Sequence, residues 1–296
     1  MTNRTARRWG LWALAAAAAG TALGGCAAPK GFAVRTMKPI LIDSSEEILR
    51  SGDLKTVGEG LAAQILTLRG LTASRPGDVD IRSMTVQLHL FYANGFIESV
   101  DHDHASALYR EGRDIGLEHF RRIEGFPEAL RAGDLALRPV LAKVSEREAP
   151  LLLWTASCWG GWIRLHLSDP DAVADLPLVE AMLDRTLELD PDYFHGMPWI
   201  MRGTMAGLRP PALGGKPENA LAAFEKGFAA SDRAYLLGLV YFARTYCRQI
   251  FDRDLFEAAL REVAGAPPDL LPDVRLLNVM AKEQAAYWLT QMDEIF

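Results

Sequence analysis

Clusters of basic residues, strand-like alternation and catalytic signatures are all missing from this 296-residue chain, and cysteine occurs only three times. No block of lysine or arginine stands out against a net charge of −6. That argues against a nucleic-acid partner, because phosphate binding needs a concentrated positive face. Strict apolar–polar alternation is scarce, so a sheet-based fold has no signal to rest on. GxSxG, HExxH, CxxC and GxxxxGK[ST] do not occur, and no paired carboxylates stand in an apolar setting suited to general acid–base work. Nothing in the chain argues for an enzyme or a cofactor. Beyond Cys26 only Cys158 and Cys247 remain. An oxidising compartment would allow them to pair, but both sit in apolar helical contexts, where a free cysteine serves as a small hydrophobe.

What is present begins with a leader. Arg4, Arg7 and Arg8 form a positive n-region, "WGLWALAAAAAGTAL" follows as a short apolar stretch, and small residues lead into Cys26. This is the pattern of a secretory signal peptide, too short for a membrane span. "LGGC" (23–26) resembles the bacterial lipobox, in which the cysteine is lipidated and becomes the mature N-terminus. An ordinary signal peptide or an uncleaved anchor is the alternative. Ala27 in place of aspartate suggests, by resemblance to lipoprotein sorting signals, the periplasmic face of the outer membrane, where acyl chains hold a protein without a spanning helix. Loss of the leader removes three arginines and no acids, which leaves the mature chain more acidic still. Residues 1–25 thus read as a lipoprotein signal peptide, 26–40 as a lipidated tether without periodicity, and 41–296 as a helical domain.

Apolar residues in that domain recur at three-and-four spacing among Ala, Leu, Arg and Glu, the pattern of amphipathic helices. Breaks fall at 74–80, 124–134, 168–177, 190–193, 208–218 and 265–273, with segments of ordinary helix length between them. Short breaks imply antiparallel neighbours. Three segments share the small–large–small spacing of a tetratricopeptide (TPR) second helix: Ala105, Tyr109, Gly112; Val179, Leu183, Thr186, Leu187; and Ala220, Phe224, Gly227, Phe228. Their starts are not separated by multiples of the roughly 34-residue repeat. The fold class is therefore all-α, a TPR-like array of antiparallel helical hairpins: an α-solenoid with divergent repeats.

Candidate chemistry is thin. Asp101, His102, Asp103 and His104 are the most metal-like string, but histidines two apart do not share a helix face, and aspartate before a helix serves as its cap. "ALGGKPENA" reads as a turn with Pro217 at the first helical position rather than as a phosphate loop. His166 and His195 have no nucleophile motif nearby, and His89 lies in an apolar run as a core histidine. The tryptophans are more informative. On a helical wheel Leu151, Trp154, Cys158, Trp162 and Leu165 form one core stripe, with Gly161 at its edge to admit a neighbouring helix. Trp159 points away from that stripe, towards a second helix layer, a cavity or an interface. Tyr193, Phe194, His195 and Trp199 form a further aromatic group beyond the next helix.

"PLLLWTASCWGGWI" (150–163), "LELDPDYFHGMPW" (187–199), "LGGKPENALAAFEKGF" (213–228) and "DVRLLNVMAKEQAAYWLTQMDEIF" (273–296), with "LFYANGFIES" (90–99), are similar, in order, to the T component of tripartite ATP-independent periplasmic (TRAP) transporters. The likeness spans roughly residues 45–296 and includes the run Leu277, Asn278, Ala281, Lys282. It implies a helical periplasmic lipoprotein that self-associates as a trimer, docks the substrate-binding P component, and holds or passes a small organic ligand of apolar character through a pore or cavity. Neither catalytic residues nor ligand chemistry carry over. Trp159, Tyr193, His195 and Trp199 are the residues the sequence offers as lining. A TPR scaffold for outer-membrane or cell-wall assembly, binding a protein partner, shares the anchor and the fold and is the rival reading.

Overall fold

Aspartate punctuates the chain. Asp53, Asp78, Asp101, Asp169 and Asp252 each accept a backbone N–H from the first turn of the helix that follows, a cap worth about 1 kcal/mol apiece. Proline lies in the first turn at Pro127, Pro150, Pro170, Pro177 and Pro217, where its missing N–H has no intrahelical partner to lose, and Pro170 follows directly on the Asp169 cap. The computed structural model describes residues 30–209 and 214–296, which form helices joined by short turns, with no strand among them. The leader and Cys26 lie outside the described residues.

In order the helices are α1 (Lys30–Arg50), α2 (Leu54–Ser74), α3 (Val79–Tyr92), α4 (His102–Phe120), α5 (Phe126–Ala132), α6 (Asp134–Leu141), α7 (Ala149–Leu165), α8 (Pro170–Ala174), α9 (Leu176–Leu189), α10 (Tyr193–Leu208), α11 (Pro217–Ala230), α12 (Leu236–Phe242), α13 (Arg253–Gly265), α14 (Arg275–Thr290) and α15 (Met292–Ile295). The chain divides into two compact units, Met1–Leu41 and Ile42–Phe296. The packing and the site described below belong to the second. The segment expected as an irregular tether is helical from Lys30 onwards, as the start of α1, even with Pro39 inside that helix. None of the described helices is long and apolar enough to cross a membrane.

Consecutive helices pack as pairs, α2 on α3, α3 on α4, α9 on α10 and α10 on α11, which is the all-α repeat arrangement the periodicity predicts. The small and large positions of the three TPR-like segments are buried, Leu187 alone being half-buried. At the centre stands α7, packed against α3, α4, α9 and α10. From Leu151 to Gly161 it is buried on every side. Its approach to α4 depends on glycine: a Cβ on Gly116 would sit 1.9 Å from Thr155 Oγ1, and one on Gly161 would sit 2.7 Å from the Tyr109 ring. Trp154 and Cys158 are core, as the wheel requires, and both Cys158 and Cys247 are free and buried. Trp162 departs from its expected place. It is half-buried, stacked on His166 at 4.8 Å with Arg113 beside it, because α7 leaves the packed layers near its C-terminal end.

Helix α14 closes the far side, against α12 and α13, and reaches back to α2. Two residues of its Leu-Asn-x-x-Ala-Lys run do the fastening. Asn278, fully buried, accepts the Leu236 N–H (3.0 Å) and donates to the Ala234 carbonyl (2.9 Å), which fixes the entry to α12. Lys282 donates to the carbonyls of Val263, Ala264 and Ala266, unpaired groups at the end of α13. Asn278→Ala strands a buried donor and a buried acceptor together and is expected to cost about 2–3 kcal/mol in urea unfolding. Asn278→Asp cannot donate to Ala234 and should not recover it. A loss below about 0.5 kcal/mol, the scale of an ordinary surface change, would contradict this role.

Candidate functional site

Two of the helices do not end where their sequence pattern would carry them; each runs into a five-residue π turn. Helix α3 passes into Ala93–Ile97 and α12 into Ala243–Cys247. The two stretches are alike: "YANGFIES" (92–99) and "FARTYCRQ" (242–249) share an aromatic–alanine start and an aromatic residue at the fourth position of the turn. Each is followed by an aspartate cap, Asp101 on α4 and Asp252 on α13. The second carries one more residue before its cap, and there Phe251 adopts a left-handed backbone with φ 55°. A π turn forfeits regular helical hydrogen bonding and is frequent at functional sites.

Both turns face one cavity of about 1000 Å³. Asn94 in the first turn and Glu98 directly after it, with Arg244 and Arg248 at the same register of the second, all line it. Residues four apart lie near one face, so each turn presents its pair inwards. Further wall residues include Arg164 and Leu165 from α7, Leu208 from α10, Met280, Gln284 and Trp288 from α14, Lys55 from α2, and His102 at the start of α4. Gln284 ties α14 to the first turn by donating to the Asn94 carbonyl at 3.2 Å. Gln249 ties the second turn to α10 by donating to the Arg209 carbonyl at 2.6 Å.

Charge on the walls is concentrated and nearly dry. Glu98, 7% exposed, accepts from Arg164 at Oε1 (2.8 Å) and Oε2, from Arg244 at Oε1 (2.9 Å) and from Tyr109 at Oε2 (2.7 Å). Burial alone would raise its pKa. The guanidiniums of Arg164 and Arg244 outweigh burial and hold the carboxyl well below the usual range. Tyr109 moves the other way, pushed up by complete burial and by the charge of Glu98, so it stays a neutral donor. Arg244 lies over the Trp288 ring at 4.7 Å, with Arg248 at 6.0 Å from the same ring. Partial burial and the two neighbouring arginines lower the pKa of Arg248, and among the described residues no carboxylate pairs with it.

An all-helical unit with a large polar–apolar cavity narrows the choice of family, and sequence comparison decides it. The chain matches the TRAP transporter T-component family over residues 50–296. It belongs to that family. A protein of Treponema pallidum (strain Nichols), described only as uncharacterized, is 22% identical over 276 residues, covering 86% of this chain and 84% of its own. This protein is therefore an accessory of a TRAP transport system.

The residues offered as lining by sequence fall elsewhere in the T component, and none of the four lines this cavity. Trp159 meets the second helix layer: it is 4% exposed, and its indole N–H donates to Asp175 at 3.1 Å. Tyr193 and His195 come together in an aromatic cluster around Phe194, with Trp154, Phe91 and Tyr235. There Phe194, His195 and Gly196 form a left-handed turn (φ 49°, 59° and 78°), held by the stacking of His195 on Tyr235 and its 2.8 Å bond to Asp273. Trp199 stands apart under Lys226. Asp101 caps α4 by accepting the His104 N–H, and His102, Asp103 and His104 are exposed in its first turn. His89 is fully buried, with Nδ1 2.7 Å from the Thr85 carbonyl oxygen and Nε2 3.5 Å from Glu111.

Proposed function

We propose that this T component is a non-enzymatic, lipid-anchored accessory that docks the substrate-binding P component of its TRAP system and holds or passes a small ligand. The observation that carries the reading is the cavity between the two π turns. Its volume lies in the range that takes small organic ligands, and its lining joins fixed polar groups to apolar walls. Glu98, Arg164 and Tyr109 brace the charged wall. Trp288, Met280, Phe96 and Leu208 supply apolar surface.

Other parts of the proposal rest on the leader and the family likeness. Lipidation at Cys26 places the helical unit on the periplasmic face of the outer membrane, and self-association, as a trimer, lets several cavities serve one assembly. Phe251, Tyr287 and Leu167 are exposed at the cavity's edge, an apolar rim suited to a docked protein. Multi-angle light scattering of the chain mixed with its neighbouring P component, at about tens of micromolar, tests the docking step. A complex of summed mass is expected. Separate elution of the two proteins at that concentration counts against docking.

A further inference from the structure

We propose that the cavity takes an amphipathic organic anion, whose acid group is held by Arg244 and Arg248 and whose apolar part lies against Trp288, Met280 and Phe96. The inference rests on reading the cavity as the ligand site. Charge carries it. Both oxygens of Glu98 are already engaged, by Arg164 twice, by Arg244 and by Tyr109. Two guanidiniums against one carboxylate leave a positive charge within a half-enclosed wall, where the side chain of Arg244 is only 9% exposed. Arg248 adds a second at the adjacent turn of the same element. The only other carboxylate on the lining is Glu283, and Lys55 stands there as well. Uncompensated charge near a low-dielectric surface draws in a counter-charge.

Geometry narrows the class. Arg244 is positioned by its bond to Glu98 and by the Trp288 ring 4.7 Å from its guanidinium, and a guanidinium fork matches the oxygens of a carboxylate or phosphate. The π turns show how the site arises from alike halves. Position for position, the first turn carries Asn94 and Glu98 where the second carries Arg244 and Arg248. One half anchors with its carboxylate, and the other is left with cations to spare. A neutral alcohol can accept a guanidinium N–H but leaves the positive charge uncompensated, and an ammonium would meet like charge.

Isothermal titration calorimetry of the full chain with octanoate, octyl phosphate, octanol and octylammonium tests this at constant chain length. At least one of the two anions should bind about tenfold or more tighter than octanol, with octylammonium weakest; octanoate and octyl phosphate distinguish the two acid groups. Arg248→Gln, at an exposed position that should leave the melting curve unchanged, is expected to weaken the preferred anion about tenfold while octanol is unaffected. Arg248→Lys should recover part of the loss. Octanol or octylammonium binding as tightly as the anions would overturn the anion assignment and leave the cavity a ligand site. Binding of none of the four would overturn both. An anion preference undiminished in Arg248→Gln would remove Arg248 from the site.

Discussion

Glu98→Gln should lower the stability of the folded chain by about 3–5 kcal/mol, the usual cost of removing one partner from a buried ion cluster. Glutamine keeps the shape and loses the charge that Arg164 and Arg244 share, so two guanidiniums are left in a wall that water barely reaches. The effect carries a pH signature. The carboxyl of Glu98 is held below its ordinary value of 4.5 in the folded chain, so the unfolded chain binds the proton first. The stabilisation is whole above about pH 4.5, shrinks as pH falls below it, and is gone only beneath the folded value. Glu148 adds to the same trend. Against the upward push of burial, Ser145, His119 and Arg122 hold its pKa at about 2. Urea unfolding from pH 3 to 7, followed by circular dichroism, should show a shallower acid limb in Glu98→Gln than in the parent. Equal slopes would mean that Glu98 is not the buried anion described here.

Trp154→Ala should cost about 3–5 kcal/mol, whereas Trp162→Ala, about two turns further along the same stripe, should cost about 1 kcal/mol. Trp154 is fully buried, with the rings of Phe91, Phe194 and Tyr193 at 5.5, 5.0 and 5.9 Å. Those contacts also hold Phe194 in the left-handed turn, a conformation that costs a residue with a side chain roughly 1–2 kcal/mol. Removing the indole therefore opens a void and releases the turn. Trp162 loses only the stack on His166 and the contact with Arg113. Thermal or urea unfolding of the two variants separates the cases, and similar losses for both would contradict the packing described for α7.

Helix class and most helix limits were legible because they depend on local chemistry. Aspartate caps, proline at first turns and small–large–small spacing act within a few residues, and each does so in the structure. The tryptophans show where locality stops. A helical wheel assigns one face to the core, but α7 is enclosed by two helix layers, so phase alone could not place Trp159. Its partner, Asp175, lies in the break after the helix. The cavity was less visible still. Glu98 pairs with Arg164 across 66 residues and with Arg244 across 146, and nothing local marks any of the three. One signal did exist in the sequence: the likeness of "YANGFIES" to "FARTYCRQ", each before an aspartate cap. Read as plain helix, these stretches gave no hint that an extra residue turns both pairs of polar side chains inwards.

The central claim is that ligand is held between the two π turns and not among the aromatic residues after α9. Hydrogen exchange of the full chain with and without saturating octanoate or octyl phosphate, resolved by mass spectrometry, tests it most directly. Slower exchange is predicted in peptides covering 93–99, 243–251 and 280–288, with residues 193–199 unchanged. Protection confined to 193–199, or no protection at either place, would contradict it.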